Sequence, residues 1–280
     1  MIINGIDVSK FQGNIDWNKV KASGIEFVMI RIGWTFYEGG LEIDSMFVKN
    51  IEGATKAGLK IGIYVYSYDK TPAAARISAK KVLEVLKSYK LTYPIAFDIE
   101  DERNYSYGKS LNSQIVKAFC DTIEEAKYYA LVYTYTHFSN DCLDLSQLKK
   151  YDFWVADYRD KGSMDSQFRM PYGIWQYVGD KGKCDGVVGG CDRNYAYKDY
   201  AAIIEKAGLN NPVKAPVKTD AEKIAALEKE IEILNKNIRT AADESKKIEE
   251  KLKEAEKVIA AYEAKFQTIK TTIARLNEQL

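Results

Sequence analysis

The chain has 280 residues, of which 46% are hydrophobic and 12% aromatic, enough apolar side chains to form a sizeable core. Its 41 Lys and Arg residues nearly balance its 40 Asp and Glu residues, so charge predicts neither a nucleic acid nor an anionic membrane as partner. The single histidine, His137, excludes a metal site built from several histidines. Carboxylates are therefore the expected acid and base of any enzyme chemistry.

The chain shows no sign of a membrane or secretion segment. It has no run of about 18 apolar residues, so we expect no membrane insertion. Residues 1–7 contain no basic stretch followed by an apolar one, as a signal peptide would. We therefore expect synthesis in the cytoplasm of the host cell and action after release.

The four cysteines lack CxxC spacing, so no metal site is expected from them. Cys184 and Cys191 flank the turn-rich residues 185–190, which could form a hairpin. A disulfide between these two cysteines is compatible with that spacing but is not required by it. Cys120 lies in a helix-like segment, where we expect a buried free thiol.

The composition of the chain changes near residue 210. Pro212 and Pro216 interrupt any helix and predict an extended linker. The segment that follows contains no Gly, Pro, Cys or Trp. The predicted organisation is a domain of residues 1–209, a linker of residues 210–218 and a helical segment of residues 219–280.

The N-terminal region alternates short apolar runs with helix-like stretches, which is typical of βαβ units around a parallel sheet. The last three runs lie too close together for full crossover helices. Eight strands in about 200 residues therefore predict an α/β barrel whose later helices are reduced. The predicted strands are Ile2–Val8, Phe27–Ile32, Lys60–Tyr66, Pro94–Glu100, Ala130–Tyr135, Phe153–Asp157, Gly173–Tyr177 and Asp192–Tyr195, and the predicted helices include Asp44–Ala57, Pro72–Tyr89 and Asn112–Lys127.

Three predicted strands carry acids at or near their C-terminal ends, where barrels of this kind hold their active sites. These acids are Asp7 on the first strand, Asp98 and Glu100 on the fourth, and Asp192 on the last. Strand alternation places Ala96, Asp98 and Glu100 on one face and the apolar residues between them on the other. Such acids could be strand-end caps or ion-pair partners, but their convergence favours a catalytic cluster.

Aromatic residues accompany these acids on the predicted strands. Tyrosine and tryptophan present flat apolar faces with one polar group, which suits stacking on sugar rings. Aromatic side chains in strands are also common in cores. The combination predicts a carbohydrate-active barrel. The candidate substrate-binding residues are Tyr64, Tyr66, Tyr133, Tyr158, Trp175 and Tyr177.

Several motifs resemble those of glycoside hydrolase family 25, the lysozymes (muramidases) of phage endolysins, bacterial autolysins and some fungi. The opening motif, Gly5-Ile-Asp-Val-Ser-x-x-Gln-Gly-x-Ile-Asp-Trp17, carries most of the resemblance. The family's order and spacing hold over roughly residues 3–207. Tyr66 departs from the pattern, because relatives often have Tyr followed by His and Phe at Tyr64-Val-Tyr66. The other matching motifs are Gly62-Ile-Tyr64, Asp98-Ile-Glu100, Trp154-Val-Ala156-x-Tyr158, Trp175-Gln176-Tyr177 and Gly190-Cys-Asp192-x-Asn194.

The resemblance implies an irregular barrel of eight strands with about five helices, no cofactor, and bacterial cell-wall peptidoglycan as substrate. The bond cut would be the β-1,4 link between N-acetylmuramic acid and N-acetylglucosamine. Glu100 would donate the proton and Asp98 would be its acidic partner, with Asp7 and Asp192 completing the cluster. Tyr64, Trp175 and Tyr177 would line the sugar cleft.

For this chemistry Glu100 must be protonated near the working pH while Asp98 stays charged. The spacing of the two acids does not decide between inversion, a covalent intermediate and participation of the substrate's N-acetyl group. We expect His137 to be a surface or cleft-edge residue. The alternative functions are a non-catalytic carbohydrate-binding barrel with an oligomerising stalk, which loss of an acid would favour, and a barrel glycosidase acting on another glycan such as chitin.

The C-terminal segment carries an unbroken heptad repeat. Thr219 fits the N-cap of a capping box. Position a runs from Ile224 to Leu280 and position d from Leu227 to Leu276, a pattern typical of a coiled coil. The apolar stripe predicts a homo-oligomer, or else a helical hairpin that folds back near residues 235–245. The unbroken repeat favours one long helix, which could also bind the cell wall.

Overall fold

The computed structural model describes residues 2–158, 168–211 and 220–277. The chain divides into two compact units, Met1–Val213 and Lys214–Leu280. In the first unit, the described residues form nine strands and six α-helices. The strands are β1 (Ile3–Val8), β2 (Phe27–Trp34), β3 (Glu42–Ile43), β4 (Lys60–Tyr66), β5 (Ile95–Asp98), β6 (Ala130–Tyr135), β7 (Asp152–Ala156), β8 (Ile174–Val178) and β9 (Asp192–Ala196).

Eight of these strands close into a barrel, as the chain pattern predicts. The strand order is β1-β9-β8-β7-β6-β5-β4-β2, and β1 pairs with β2 to complete the ring. The short β3, which no pattern in the sequence predicts, pairs with the end of β2 as an antiparallel appendage. Between neighbouring barrel strands the pairing is parallel, except where β9 runs antiparallel to both β8 and β1.

The reversed direction of β9 corrects one expectation. Asp192 lies at the N-terminal start of β9, not at the C-terminal end of a parallel strand. Because β9 is antiparallel, its start reaches the barrel edge at which the other strands end, and Asp192 pairs in register with Asp7. The connection from β8 to β9, residues 179–191, contains no helix that could carry the chain back across the barrel for a parallel return.

The α-helices lie between the strands in chain order. Pro72 at the first position of the third helix and its N-cap Thr71 fix the predicted start of that helix. The second helix begins at Phe47, later than predicted, because the carboxylate of Asp44 binds the Arg31 side chain and the backbone N–H of Met46. The helices are α1 (Trp17–Ala22), α2 (Phe47–Lys56), α3 (Pro72–Leu86), α4 (Gly108–Glu125), α5 (Thr136–Cys142) and α6 (Tyr200–Lys206).

The barrel separates two apolar cores. Ala96 of β5 packs inside the barrel, whereas Ile95 and Phe97 pack between the barrel and the helices. The ring of Phe97 stacks on Phe119 of α4 with 4.4 Å between centroids. This alternation confirms the prediction that one face of the strand is apolar and that the face carrying Asp98 points into the barrel.

Asn210, which composition assigns to the linker, is buried in the barrel unit. It adopts a left-handed backbone conformation with φ 55°. Its side-chain carbonyl accepts a hydrogen bond from the N–H of Tyr129 (2.8 Å), and its amide donates to the carbonyl oxygen of Tyr93 (2.8 Å). The end of the domain is thus bonded to the segments that precede β5 and β6. The rest of the predicted linker and the proposed cap, residues 212–219, lie outside the described residues.

The second unit contains one continuous helix, α7, from Asp220 to Asn277. Its 58 residues correspond to about 87 Å at 1.5 Å per residue. The prediction of one long helix instead of a hairpin is therefore confirmed. Among the residues that the structure describes, no helix is long and apolar enough to cross a membrane.

We expect Asn210→Ala to destabilise the barrel by about 2–4 kcal/mol, because it leaves a buried N–H and a buried carbonyl unpaired and places alanine in a left-handed conformation. Urea unfolding followed by tryptophan fluorescence measures this, since all four tryptophans lie in the barrel unit. The exposed neighbour Asn211→Ala is the control. Equal unfolding midpoints for the two variants would show that the Asn210 bonds contribute nothing.

Candidate active site

The carboxylate of Asp7 is buried at the barrel mouth. β1 ends beside it, and its neighbours across the strands are Met29 on β2 and Asp192 on β9. One carboxylate oxygen, Oδ2, accepts hydrogen bonds from the amides of Gln176 (2.8 Å) and Asn194 (2.8 Å). Burial raises the pKa of Asp7, and these hydrogen bonds, together with one from Asp192, oppose that rise.

Aromatic side chains orient the two amides. The side-chain carbonyl of Gln176 accepts hydrogen bonds from the hydroxyls of Tyr133 (2.9 Å) and Tyr158 (2.5 Å). The side-chain carbonyl of Asn194 accepts one from the indole N–H of Trp154 (2.8 Å). With both carbonyls occupied, the NH₂ groups must face Asp7, so the network favours the ionised form of that acid.

Asp192 is the hydrogen-bonded partner of Asp7. Burial raises the pKa of Asp192 to about 9, and the charge of Asp7 and a hydrogen bond shared with it add to the rise. That hydrogen bond lowers the pKa of Asp7 while it raises that of Asp192. At neutral pH, therefore, the two carboxyl groups share a proton.

Asp98 and Glu100 occupy the adjacent part of the mouth. Asp98 ends β5, and its Oδ1 is buried with no hydrogen-bond partner among the described residues. Glu100 lies two residues beyond the strand and is partly exposed. Burial raises the pKa of Glu100 to about 7, with further contributions from the charges of Asp7 and Asp101.

The surroundings of Asp98 oppose the charged form that the sequence-based expectation assigns to it. Burial raises its pKa well above the usual value, and the charges of Glu100 and Asp7 raise it further. Only the charge of Arg31 acts in the other direction. The reason is the complete enclosure of a carboxylate that receives no hydrogen bond from the described residues, which favours its neutral form.

A cavity of about 310 Å³, here called the tyrosine cavity, opens beside Glu100. Tyr133 forms its inner wall and Tyr158, which is 58% exposed, its outer wall. His137 lies on the rim, where its side chain is 82% exposed and faces Asp141, as expected of a cleft-edge residue. The complete lining is Glu100, Tyr133, Tyr135, Thr136, His137, Ala156, Asp157 and Tyr158.

A second cavity of about 370 Å³, here called the cationic pocket, opens at the same mouth. Tyr66 belongs to its wall and pairs in register with Asp98. Since Glu100 lines the tyrosine cavity and Tyr66 adjoins Asp98, the acids lie between the two cavities. The cationic pocket is lined by Lys10, Phe11, Arg31, Trp34, Tyr66 and Tyr68.

The candidate aromatic residues divide into two groups. Tyr64 lies near the acids, since the charges of Asp7 and Asp98 both raise its pKa. Tyr66, Tyr133 and Tyr158 line the two cavities. Trp175 and Tyr177, expected to line the sugar cleft, do not line either cavity.

Strand alternation explains the position of Trp175 and Tyr177. Gln176 points into the barrel toward Asp7, so its two neighbours point to the opposite face of β8. Trp175 is only 2% exposed and donates its indole N–H to the carbonyl oxygen of Asp157 (3.0 Å). It therefore supports the wall of the tyrosine cavity from behind.

Sequence reasoning missed the amides and the basic residues of the site. Gln176 and Asn194 belong to the matching motifs, and the signal that could have found them is a polar amide on the inward face of an otherwise apolar strand. No pattern in the sequence marks Lys10 and Phe11 as site residues. Lys10 contacts Trp34, and Phe11 contacts Arg31, only once the barrel brings their turn against β2.

The structure shows all four cysteines as free thiols, including the buried Cys120 that the sequence predicts. The neighbouring thiol of Cys191 lowers the pKa of Cys184 to about 6. The disulfide between them stays a prediction. Among the described residues, no three His, Cys, Asp or Glu side chains are arranged to hold a metal ion.

The profile of glycosyl hydrolases family 25 matches residues 6–187 of this chain. That segment contains Asp7, Asp98 and Glu100. The chain belongs to glycosyl hydrolase family 25. Asp192 and Asn194 lie just beyond the matched segment, and the pairing of β9 with β1 brings them to the same site.

Two relatives of the chain carry the name lysozyme. The chain is 32% identical to the autolytic lysozyme of Clostridium acetobutylicum over 192 residues, which cover 68% of this chain and 54% of that protein. It is 27% identical to lysozyme M1 of Streptomyces globisporus over 205 residues, covering 69% of this chain and 67% of that protein. The chain thus spans about half the length of the Clostridium lysozyme.

Solved structures of family 25 members share the fold. The bacterial lysozyme from Streptomyces coelicolor superposes with a TM-score of 0.61 at 25% identity, covering 75% of this chain and 98% of that one. The modular autolysin LytC from Streptococcus pneumoniae gives a TM-score of 0.61 at 26% identity, covering 70% of this chain and 47% of that one. The shared part corresponds in extent to the barrel unit.

We expect activity to fall by about tenfold per pH unit above about pH 7, because Glu100 must be protonated to act as an acid and its pKa is about 7. Initial rates of peptidoglycan solubilisation between pH 4 and 9 measure this. Asp101→Asn removes a charge that raises the pKa of Glu100, so it should shift the alkaline limb to lower pH.

Glu84→Gln is the control for this shift, because it removes one exposed charge from α3 and should leave the pH profile unchanged. An alkaline limb that Asp101→Asn leaves in place would contradict the assignment of that limb to Glu100.

Proposed function

We propose that this protein is a peptidoglycan hydrolase that cuts the β-1,4 bond between N-acetylmuramic acid and N-acetylglucosamine. One observation carries the proposal: Glu100 has a pKa of about 7, opens onto a cavity, and adjoins the enclosed Asp98. A carboxylic acid protonated near neutral pH beside a second carboxyl group is the arrangement that glycosidic bond cleavage requires. Membership of family 25 and the lysozyme names of two relatives support it.

Glu100 is the proton donor in this reaction. It is accessible from the tyrosine cavity, so the leaving glycosidic oxygen can reach its carboxyl group. Loss of the proton turns Glu100 into the base that activates water in a later step of a retaining reaction, or leaves it to be reprotonated in an inverting one.

Asp98 binds the reacting sugar through its unpaired oxygen. A buried carboxylate oxygen without a partner among the described residues is suited to accept a hydrogen bond from a hydroxyl or an N-acetyl N–H of the substrate. Such a bond stabilises the ionised carboxylate, and its charge then stabilises positive charge at the reacting carbon. The ionised Asp7 helps to keep the proton on Glu100 until the substrate is bound.

All four acids are present, and Asp7 and Asp98 are buried, which opposes the alternative of a non-catalytic carbohydrate-binding barrel. Clustering four carboxyl groups in one barrel mouth and burying two of them destabilises the fold, and binding a neutral sugar would not require it. Digestion of purified peptidoglycan followed by mass spectrometry of the new reducing end tests the bond assignment. Reducing-end N-acetylmuramic acid is expected, and exclusive cleavage of chitin would contradict it.

Glu100→Gln should abolish wall lysis while leaving the fold intact, because the amide is nearly isosteric but has no proton to donate. Turbidity clearing of cell-wall suspensions measures activity, and circular dichroism measures folding. Glu102→Gln, an exposed neighbour, is the matched control and should keep wild-type activity. Lysis by Glu100→Gln within about tenfold of wild type would reject Glu100 as the acid, since general acid catalysis contributes about 10²–10⁴-fold.

We also propose that α7 pairs with α7 of a second copy of the chain. On the part of α7 whose side chains are described, seven large apolar residues share one face at spacings of three or four, with one gap of seven that spans Ala255, and each is more than half exposed. A stripe of this period is buried in coiled coils by an identical helix. The exposed stripe consists of Ile248, Leu252, Ile259, Tyr262, Phe266, Ile269 and Ile273.

Phe266→Lys should lower the molar mass in solution toward the 31.8 kDa of one chain, because it places a charge in the centre of the stripe. Light scattering after gel filtration measures the mass of wild type and variant. Ala264→Lys adds the same charge on the opposite face of the helix and should leave the mass unchanged. A monomeric wild-type protein would eliminate the proposed pairing.

A further inference from the structure

The cationic pocket holds a positive charge that the hydrolysis of the glycosidic bond does not use. The guanidinium of Arg31 is bound to Asp44 through Nε (2.8 Å) and Nη2 (2.7 Å), so these two charges offset each other. The ammonium of Lys10 has no carboxylate within ion-pair distance among the described residues. The pocket therefore presents one uncompensated cation.

The surroundings of Lys10 fix its backbone, while its side chain is exposed. It begins a short 3₁₀ turn, Lys10–Gln12, which is closed by a capping box between Ser9 and Gln12. Its backbone N–H donates to Oδ2 of Asp44 (3.1 Å), and its ammonium lies 4.8 Å from the ring centroid of Trp34. The exposed ammonium, which lies over the face of Trp34, is accessible to an anion that enters the pocket.

Phe11 adds an exposed apolar surface beside this cation. Its ring is 76% exposed although it sits on the same closed turn, and the guanidinium of Arg31 lies 5.0 Å from its centroid. Together with Trp34 and Tyr68, Phe11 can cover the apolar part of a ligand whose charged end reaches Lys10.

The two cavities beside the acids therefore differ in charge. The tyrosine cavity contains Glu100 and Asp157 and has no Lys or Arg among its lining residues. The tyrosine cavity therefore offers a substrate carboxylate no cation, whereas Lys10 attracts it to the cationic pocket. The cationic pocket begins one strand, about 4.8 Å, from Asp98, because Tyr66 in its wall pairs with Asp98.

We propose that the cationic pocket binds a carboxylate carried by the lactyl branch of the N-acetylmuramic acid residue next to the cut bond. This inference rests on the proposed hydrolysis of peptidoglycan. N-acetylmuramic acid differs from N-acetylglucosamine by a lactyl ether that ends in a carboxyl group. That carboxyl group is either free or linked through an amide to a stem peptide, which has carboxylates of its own. Both sources offer an anion on a short apolar arm.

Three soluble glycans of equal length test the proposal. The first bears free lactyl carboxylates, the second bears stem peptides, and in the third the lactyl groups are neutral methyl amides. The kcat/KM of Lys10→Gln is compared with that of wild type on each glycan. Lys80→Gln, which removes an exposed lysine from α3, is the control and should match wild type on all three.

Lys10→Gln should lower kcat/KM by about tenfold on the glycans that carry the recognised carboxylate, the low end of the range for hydrogen bonds to charged groups. On the methyl amide glycan the loss should be less than about twofold, because no ion pair is removed. A loss on the free lactyl glycan identifies the lactyl carboxylate as the ligand. A loss confined to the peptide-bearing glycan identifies the stem.

Equal effects of Lys10→Gln on charged and neutral glycans would overturn the proposal. In that case wild type still cleaves the glycans, so the proposed hydrolysis stands and only the carboxylate recognition fails. Wild type that cleaves none of the three glycans would refute the hydrolysis itself. Higher salt should also reduce the preference of wild type for the charged glycans, whereas a purely structural role of Lys10 predicts no such change.

Discussion

The burial of Asp7 is the constraint on which the mouth of the barrel depends. An ionised carboxylate inside a protein destabilises the fold by several kcal/mol unless it is hydrogen-bonded. Gln176 and Asn194 meet this requirement from β8 and β9, and Asp192 adds a proton from the start of β9. The reversed strand β9 therefore has a second role besides closing the barrel. It supplies two of the three groups that make the charge of Asp7 tolerable.

The charge of Asp7 in turn sets the properties of the other acids. Asp7 is enclosed where the effective dielectric constant is low. Its charge therefore raises the pKa values of Glu100 and Asp98 across the mouth. The strand pairing that closes the barrel therefore also helps to keep Glu100 protonated, as acid catalysis requires. The four carboxyl groups behave as one titrating system, in which the first proton to leave belongs to the cluster and not to a single residue.

The cationic pocket extends this electrostatic arrangement beyond the reacting acids. Arg31 links the two parts: it is bound to Asp44 beneath the pocket, and its charge is the one that lowers the pKa of Asp98. A substrate entering the mouth therefore meets negative charge on one side and the positive charge of Lys10 on the other. Such polarity orients a chain whose alternate sugars differ by a carboxylate.

The sequence by itself determined the eight-strand barrel, the acids of β1 and β5, and the single long helix, because strand alternation, helix periodicity and strand-end position are local properties of the chain. Only the tertiary structure decided the direction of β9, the short strand β3, the inward position of Gln176 and the outward position of Trp175. It also decided that Asp98 is enclosed without a hydrogen-bond donor among the described residues. Alternation along β8 places Gln176 and Trp175 on opposite faces, but which face points inward, like the other features, depends on pairing and burial between distant segments.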